Sequence, residues 1–239
     1  MSTLQPVRGT HDLMFEDIRR HRHIERVSLE IAERYGYSEI ATPIFEFTEV
    51  FTRTLGDTSD VVTKEMYTFE TKGGESITLR PENTAGVARA FITNGLMQHT
   101  PLKLFYRGPM FRHERPQKGR QRQFHQIGAE LIGVAGPEAD IEVIVLAKQI
   151  LAALGISNVT LQLNSLGDTE SRNAYRETLV KFLTGRKDRL SAESQERLAR
   201  NPLRVLDSKD PADNDAIKDA PKFGDSLNDA SRAFFDAVK

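Results

Sequence analysis

Residues 103–132, KLFYRGPMFRHERPQKGRQRQFHQIGAELI, constrain this chain more than any other stretch. Two segments alternate with the period of two expected of a strand with unlike faces, and they enclose RPQKGRQ, which is rich in charge and turn residues. The order strand, long loop, strand commits this part to an antiparallel pair. Parity then sorts the side chains: Arg112 and Glu114 share one face of the first strand, and Phe124, Gln126, Gly128 and Glu130 share one face of the second. Ile127, Ala129 and Leu131 take the opposite, apolar face. A face carrying an aromatic ring, an amide, a glycine and a carboxylate is either solvated, as in many antiparallel sheets, or a ligand platform. As a platform, an arginine would meet phosphate, the ring would stack on a base, and the amide and carboxylate would receive an ammonium or other polar group. Gly128 would leave room above the sheet, and the arginine-rich loop would close over a polyphosphate tail.

The basic character of this hairpin is local. Lys103, Arg107, Arg112, Arg115, Lys118, Arg120 and Arg122 face one acid, Glu114, before Glu130, whereas the whole chain of 239 residues has 33 Lys+Arg against 34 Asp+Glu. Such neutrality argues against a generic nucleic-acid coat. With 38% hydrophobic residues, the length suffices for one large domain or two smaller ones. The absence of cysteine excludes disulfide scaffolds, thiol catalysis, Cys-ligated zinc and iron–sulfur clusters. No apolar run approaches the roughly 20 residues of a bilayer span, and the start MSTLQPVRGTHD has no signal-peptide character. The expectation is a cytoplasmic protein.

Helical spacing of Ile18, Ile24, Val27, Ile31 and Tyr35 predicts a first helix over about 15–35, with Asp12 as cap and Gly36 as stop. A short strand is expected at 37–41, broken by Pro43; strands at 65–69 and 76–79 flank Lys72-Gly73-Gly74 as a hairpin; a helix covers about 85–94. Pro137 opens a helix with the stripe Ile141, Ile144, Val145, Leu151 and Ala152, ending at Gly155. Residues 160–163 alternate like a strand. After Asn164 the composition turns helical and charged, with helices at about 169–184, 191–200 and 226–238. Leu227, Ala230, Phe234 and Val238 form a stripe that is still running when the chain stops at Lys239. That is the mark of a truncated piece or of a natural terminal helix.

A second constellation is LRPENTAG at 79–86, leaving a strand through Pro81 and entering a helix. Structurally, Asn83 or Thr84 would cap that helix and Glu82 would favour its positive end; functionally, a carboxylate there could hold an amino group. His21 and His23 sit on nearly opposite sides of a helix, and the other histidines show no HExxH-like spacing, so no metal site is expected. GxxxxGK[ST], GxGxxG and GxSxG are all missing.

The hairpin FRHERPQKGRQRQFHQIGAE resembles motif 2 of a class II aminoacyl-tRNA synthetase. With RGTHD at 8–12, YGYSEIATPIFE at 35–46, EMYTFE at 65–70, LRPENTAG and LNSLGD, essentially the whole chain resembles bacterial histidyl-tRNA synthetases. The resemblance implies an α+β fold: a mixed, mainly antiparallel class II sheet flanked by helices, followed by a helical insertion segment. It implies that 1–165 are the N-terminal part of the catalytic core (motifs 1 and 2) and that 166–239 belong to the insertion domain. For the residues it implies that Arg112 contacts the ATP α-phosphate and stabilises the transition state. Glu114 would face the adenine amino group, Phe124 would stack on adenine, and Arg120 would reach the terminal phosphates. Glu82, Thr84, Gln126 and Glu130 would surround L-histidine, and Pro43 would lie in motif 1 at a homodimer interface. ATP with Mg²⁺, L-histidine and tRNA(His) are the implied substrates and partners.

The sequence departs from that family at its end. RGLDYY and GGGRYDGL-type segments and the anticodon-binding domain do not occur, so the resemblance implies a piece cut before motif 3, weakly active or inactive. Two other readings stand beside the ligase. One is a non-catalytic relative such as the regulatory subunit of ATP phosphoribosyltransferase, which has no need for Arg112, Glu114, Arg120 and Phe124 together. The other is an RNA-binding hairpin, disfavoured by the Gln126–Glu130 face because carboxylates repel phosphate.

Overall fold

The computed structural model describes residues 4–56, 59 and 61–239. The chain forms two compact units, Met1–Ala135 with Ala139–Val159, and Gly136–Glu138 with Thr160–Lys239.

The first unit opens with α1 (Phe15–Arg34), whose N-cap is Met14 rather than the expected Asp12, with no side-chain cap bond. Two small sheets follow. In the first, β1 (Ser38–Glu39) runs parallel to β5 (Leu102–Phe111), which is antiparallel to β6 (Gln123–Ile132). In the second, β2 (Phe45–Phe47), β4 (Ser76–Leu79) and β3 (Tyr67–Glu70) are antiparallel in that order. The strand expected over 37–41 shrinks to β1, although the Ile40 amide still donates to Phe105 O at 2.8 Å. The hairpin around Lys72-Gly73-Gly74 forms as β3 and β4, Gly74 supplying φ +81°. Helices α2 (Thr48–Leu55) and α3 (Thr84–Thr93) lie between strands in the chain, and α4 (Pro137–Ala153) follows β6.

Burial explains the layering. The apolar face of β6 is where the alternation put it: Ile127 and Ala129 pack against a core of Ala32, Tyr37, Phe105, Leu146 and Ile150. The helix α4 is apolar almost all round, and its buried positions are Ala139, Leu146 and Ile150 rather than the expected stripe, with Ile141 left exposed. The opposite face of the hairpin holds a second core of Val87, Leu104, Tyr106 and Met110, with Phe124 and Ile132 against it.

The second unit is helical: α5 (Thr169–Thr184), α6 (Ala192–Arg200), α7 (Pro211–Ile217) and α8 (Asp229–Val238). Its core is Tyr175, Leu179, Leu183, Leu190, Val205 and Ala216. The alternating residues 160–163 do not form a strand, because no strand among the described residues lies beside them to complete a ladder. The 7-residue α7 is too short to show a helical stripe in sequence, and it places Asp213 in the interior. There Asp213 accepts from Ser191 N (2.7 Å), Ser191 Oγ (2.9 Å), Ser194 Oγ (2.6 Å) and Ser208 Oγ (2.5 Å). Burial alone would raise this carboxyl, but the hydrogen bonds outweigh it and hold it down at about 2.

Candidate functional site

The site is built on one face of the β5–β6 hairpin. Register sets Leu104 opposite Glu130, Tyr106 opposite Gly128, Gly108 opposite Gln126 and Met110 opposite Phe124, so these eight residues share a face. Arg112 and Glu114 lie just past the end of β5, not within a strand as expected, although the Arg112 amide still donates to Arg122 O at 2.9 Å. The loop tip closes between Gln117 and Arg120, with Gly119 at φ +80°.

The hairpin is floored by side chains lying over the two glycines of its strands. A Cβ on Gly108 would meet Arg80 Nη2 at 2.6 Å, and one on Gly128 would run into the Tyr106 ring. The space expected above Gly128 is therefore filled by Tyr106, which is a correction to the open platform. Neither Arg80 nor Tyr106 was identified from sequence. Arg80 is buried; its Nε donates to Pro109 O and its Nη1 to Thr42 O, both at 2.9 Å. Nη1 also lies within hydrogen-bonding distance of Thr42 Oγ1 (3.3 Å) and Asn83 Oδ1 (3.4 Å). LRPENTAG shows an arginine at a strand end three residues before an asparagine, but nothing local says that such an arginine turns inward.

At the cationic end, Arg112 Nε donates to Pro81 O at 2.9 Å and its guanidinium carbon lies 5.1 Å from the Phe124 ring centroid. Glu114 sits between two arginines, 3.8 Å from Arg112 Nη1 and 3.2 Å from Arg120 Nη1. The loop thus holds Arg112, Glu114, Arg120 and Phe124 as one cluster.

At the acidic end, Glu82 receives the first free amides of α3: Thr84 N donates to one carboxylate oxygen at 2.6 Å and Ala85 N to the other at 2.9 Å. It, rather than the side chain of Asn83 or Thr84, caps the helix. Each oxygen keeps a further lone pair for a ligand. Thr84 Oγ1 donates to Glu130 Oε1 at 2.7 Å. Burial raises the Glu130 carboxyl, the Thr84 hydrogen bond counteracts this, and the nearby Glu82 charge adds to the rise. Burial likewise raises the Tyr106 hydroxyl. Gln126 Oε1 is buried with no hydrogen-bond partner, an acceptor left waiting on a face otherwise well satisfied. Pro43 lies outside this cluster and is exposed; its neighbour Thr42 is the residue that Arg80 grips.

A sequence profile described as histidyl-tRNA synthetase matches residues 9–213. The chain belongs to the histidyl-tRNA synthetase family. A histidine–tRNA ligase of Rhodospirillum rubrum is 66% identical over 239 residues, covering 100% of this chain and 58% of that protein. The apo histidyl-tRNA synthetase of Staphylococcus aureus superposes with a TM-score of 0.77 at 38% identity, covering 98% of this chain and 53% of that one. A Bacillus halodurans structure described as an ATP phosphoribosyltransferase regulatory subunit/histidyl-tRNA synthetase shares the fold, with a TM-score of 0.66 at 23% identity. The chain thus spans somewhat more than half the length of such relatives. The expected α+β fold, with mainly antiparallel sheets flanked by helices, agrees with this family.

Proposed function

We propose that this chain supplies the ATP and histidine sites of a histidine–tRNA ligase, which activates L-histidine and transfers it to tRNA(His) during translation. One observation carries the reading: a single hairpin face joins the arginine–phenylalanine cluster at 112–124 to the carboxylate–hydroxyl–amide cluster of Glu82, Thr84, Glu130 and Gln126. The two ends are tied where Arg112 Nε meets Pro81 O, next to Glu82.

In the first step a histidine carboxylate oxygen attacks the α-phosphorus of ATP, and the bond to pyrophosphate breaks. Negative charge grows on the phosphoryl oxygens. Arg112, with Nε already committed to Pro81, turns its remaining N–H groups to that charge from a fixed position. Phe124 stacks the adenine, Glu114 accepts from its amino group, and Arg120 leaves Glu114 for the terminal phosphates. Glu82 and Glu130 receive the cationic and N–H groups of histidine, Thr84 fixes Glu130, and Gln126 Oε1 gains the donor it lacks. In the second step the 3′-terminal ribose hydroxyl of tRNA attacks the activated carbonyl and AMP leaves. Among the described residues no group of three or more His, Asp or Glu is gathered to hold a metal; Mg²⁺ would come as the counter-ion of the triphosphate substrate.

In this reading residues 1–165 are the front of the catalytic core and 166–239 an insertion domain. Pro43 belongs to a homodimer interface, supported by the adjoining exposed apolar residues Ile44, Phe45, Phe47 and Phe69. No helix among the described residues is long and apolar enough to cross a membrane, in keeping with the cytoplasm, where translation runs. The regulatory-subunit reading leaves the cluster of Arg112, Glu114, Arg120 and Phe124 without a task. Calorimetric titration separates the two: the chain should bind both ATP and L-histidine, Arg112→Ala should weaken ATP at least tenfold, and Glu130→Gln should weaken histidine alone. A chain that binds histidine but no ATP would favour the regulatory reading.

A further inference from the structure

The segment RGTHD at 8–12 lies against the hairpin through its Arg8 and Gly9 carbonyls. We infer that its first turn, together with Arg122, is a brace that fixes the nucleotide-binding loop 112–122 before ATP arrives. The inference rests on the ATP site proposed above and adds to it two positioning residues, Gly9 and Arg122.

The turn is closed on Val7 O, which accepts from Thr10 N at 2.9 Å and from Thr10 Oγ1 at 2.7 Å. Gly9, the third residue of the turn, has φ +88°, a region a side chain disfavours. This conformation presents the Arg8 and Gly9 carbonyls to the hairpin. Gly9 O accepts from the Arg122 amide at 2.7 Å, and Arg8 O accepts from Arg122 Nη1 at 3.3 Å. The fit is close: a Cβ on Gly9 would meet Arg122 Cγ at 2.8 Å and Pro116 Cγ at 2.9 Å.

Arg122 passes this anchorage on. Its Nε donates to Glu114 O at 3.2 Å and its carbonyl accepts from the Arg112 amide at 2.9 Å. One residue therefore holds the backbones of both Arg112 and Glu114 and ties them to a turn at the far N-terminal side of the chain. These guanidinium bonds go to main-chain oxygens, so Arg122 serves as a fork joining two strands of backbone, a task for planar geometry rather than for charge. Arg112 and Glu114 are otherwise beyond the last rung of β5, where ladder pairing no longer sets their direction.

The test compares Gly9→Ala, Arg122→Gln and Arg122→Lys in the 239-residue chain, by amide hydrogen exchange without ligand and by ATP titration. Amides of residues 112–122 should exchange about tenfold faster in all three variants, on the scale of one lost hydrogen bond to a charged group, while amides in the middle of β6 and in α5 keep their rates. ATP affinity should fall by about the same factor. Arg122→Lys should fail to rescue, and Gly9→Ala with Arg122→Gln should be no worse than the stronger single variant, since both break one brace. Unchanged loop exchange would overturn the inference, as would wild-type ATP affinity in Arg122→Lys, which would assign the residue to charge alone. If the unaltered chain shows no ATP affinity, the proposed function falls, and the exchange rates still decide whether the brace exists.

Discussion

Replacing Arg80 by methionine keeps an apolar stem of similar reach and removes the buried guanidinium. Two acceptors then lose short bonds, Thr42 O and Pro109 O, each at 2.9 Å. The contacts at 3.3 and 3.4 Å to Thr42 Oγ1 and Asn83 Oδ1 are marginal, and Thr42 Oγ1 still has Asn83 Oδ1 at 2.6 Å. A stranded acceptor costs about 1–3 kcal/mol, so the two together cost about 2–6 kcal/mol. Methionine packing and the relief of a buried charge, which burial already disfavours by lowering the Arg80 pKa, return part of this. The net loss expected is about 3 kcal/mol, a large share of the roughly 5–15 kcal/mol that holds a domain together. Because the chain has two compact units, the assay should be local. The Phe111 amide, bonded to Arg80 O at 2.9 Å, and the Arg80 amide, bonded to Ile44 O at 2.9 Å, report on the join between the sheets. Their hydrogen exchange should accelerate about a hundredfold, while amides around Leu179 and Leu183 in α5 stay as controls. A change below about threefold at Phe111 would refute the argument that this arginine, rather than the surrounding apolar contacts, joins the two sheets.

Further outcomes follow from the same geometry. Glu130→Gln should stabilise the chain at neutral pH while weakening histidine: the folded carboxyl is raised, so ionisation opposes folding, and this cost is absent below the unfolded pKa near 4.3. Thermal melting should show a gain at pH 7 that vanishes toward pH 4; a gain largest at pH 4 would contradict it. Asp213→Ala, which strands Ser191, Ser194 and Ser208, should cost the helical unit on the order of 3 kcal/mol in urea titration. Since Asp213 is depressed to about 2, its contribution is present above the unfolded pKa of roughly 3.9 and lost as pH falls toward 2, so the wild-type and variant midpoints should converge there. Phe47→Asp, on the exposed apolar face beside Pro43, should convert a sedimenting dimer to a monomer; a wild-type chain that is monomeric at high concentration would end the homodimer proposal.

What could be read ahead of the structure was what is local. The faces of β6 were legible because alternation is a property of neighbouring residues, and Ile127 and Ala129 pack against the core as that alternation requires. The strand-to-helix junction holding Glu82 and Thr84 and the strand face holding Glu130 were each recognisable locally, but that the three meet was implied by the family resemblance alone. Arg80 and Tyr106 were not legible, since Arg80 lies over Gly108 and Tyr106 over Gly128, glycines remote in sequence that each side chain meets only in the folded chain. Residues 160–163 show the reverse failure: their alternation is real, but a strand needs a partner that periodicity cannot supply. The stripe of α4 misled for a third reason, because a helix apolar on most sides leaves the choice of buried face to whatever packs against it.

The parallel pairing of Ser38 with Leu104 and Glu39 with Phe105 bears on how fast this molecule assembles. Those two rungs close a loop that contains the whole of the second sheet and α3, so the first unit cannot complete itself by extending local structure. Loop-closure entropy enters its barrier before the long-range contacts return anything. The helical unit has a long closure of its own where Ser171 and Asp168 meet Asn228 and Ser231, while its serine-ringed aspartate draws only on residues from Ser191 to Asp213. The β5–β6 hairpin, whose β5 is the partner of β1, therefore cannot be completed in its sheet until that loop has closed.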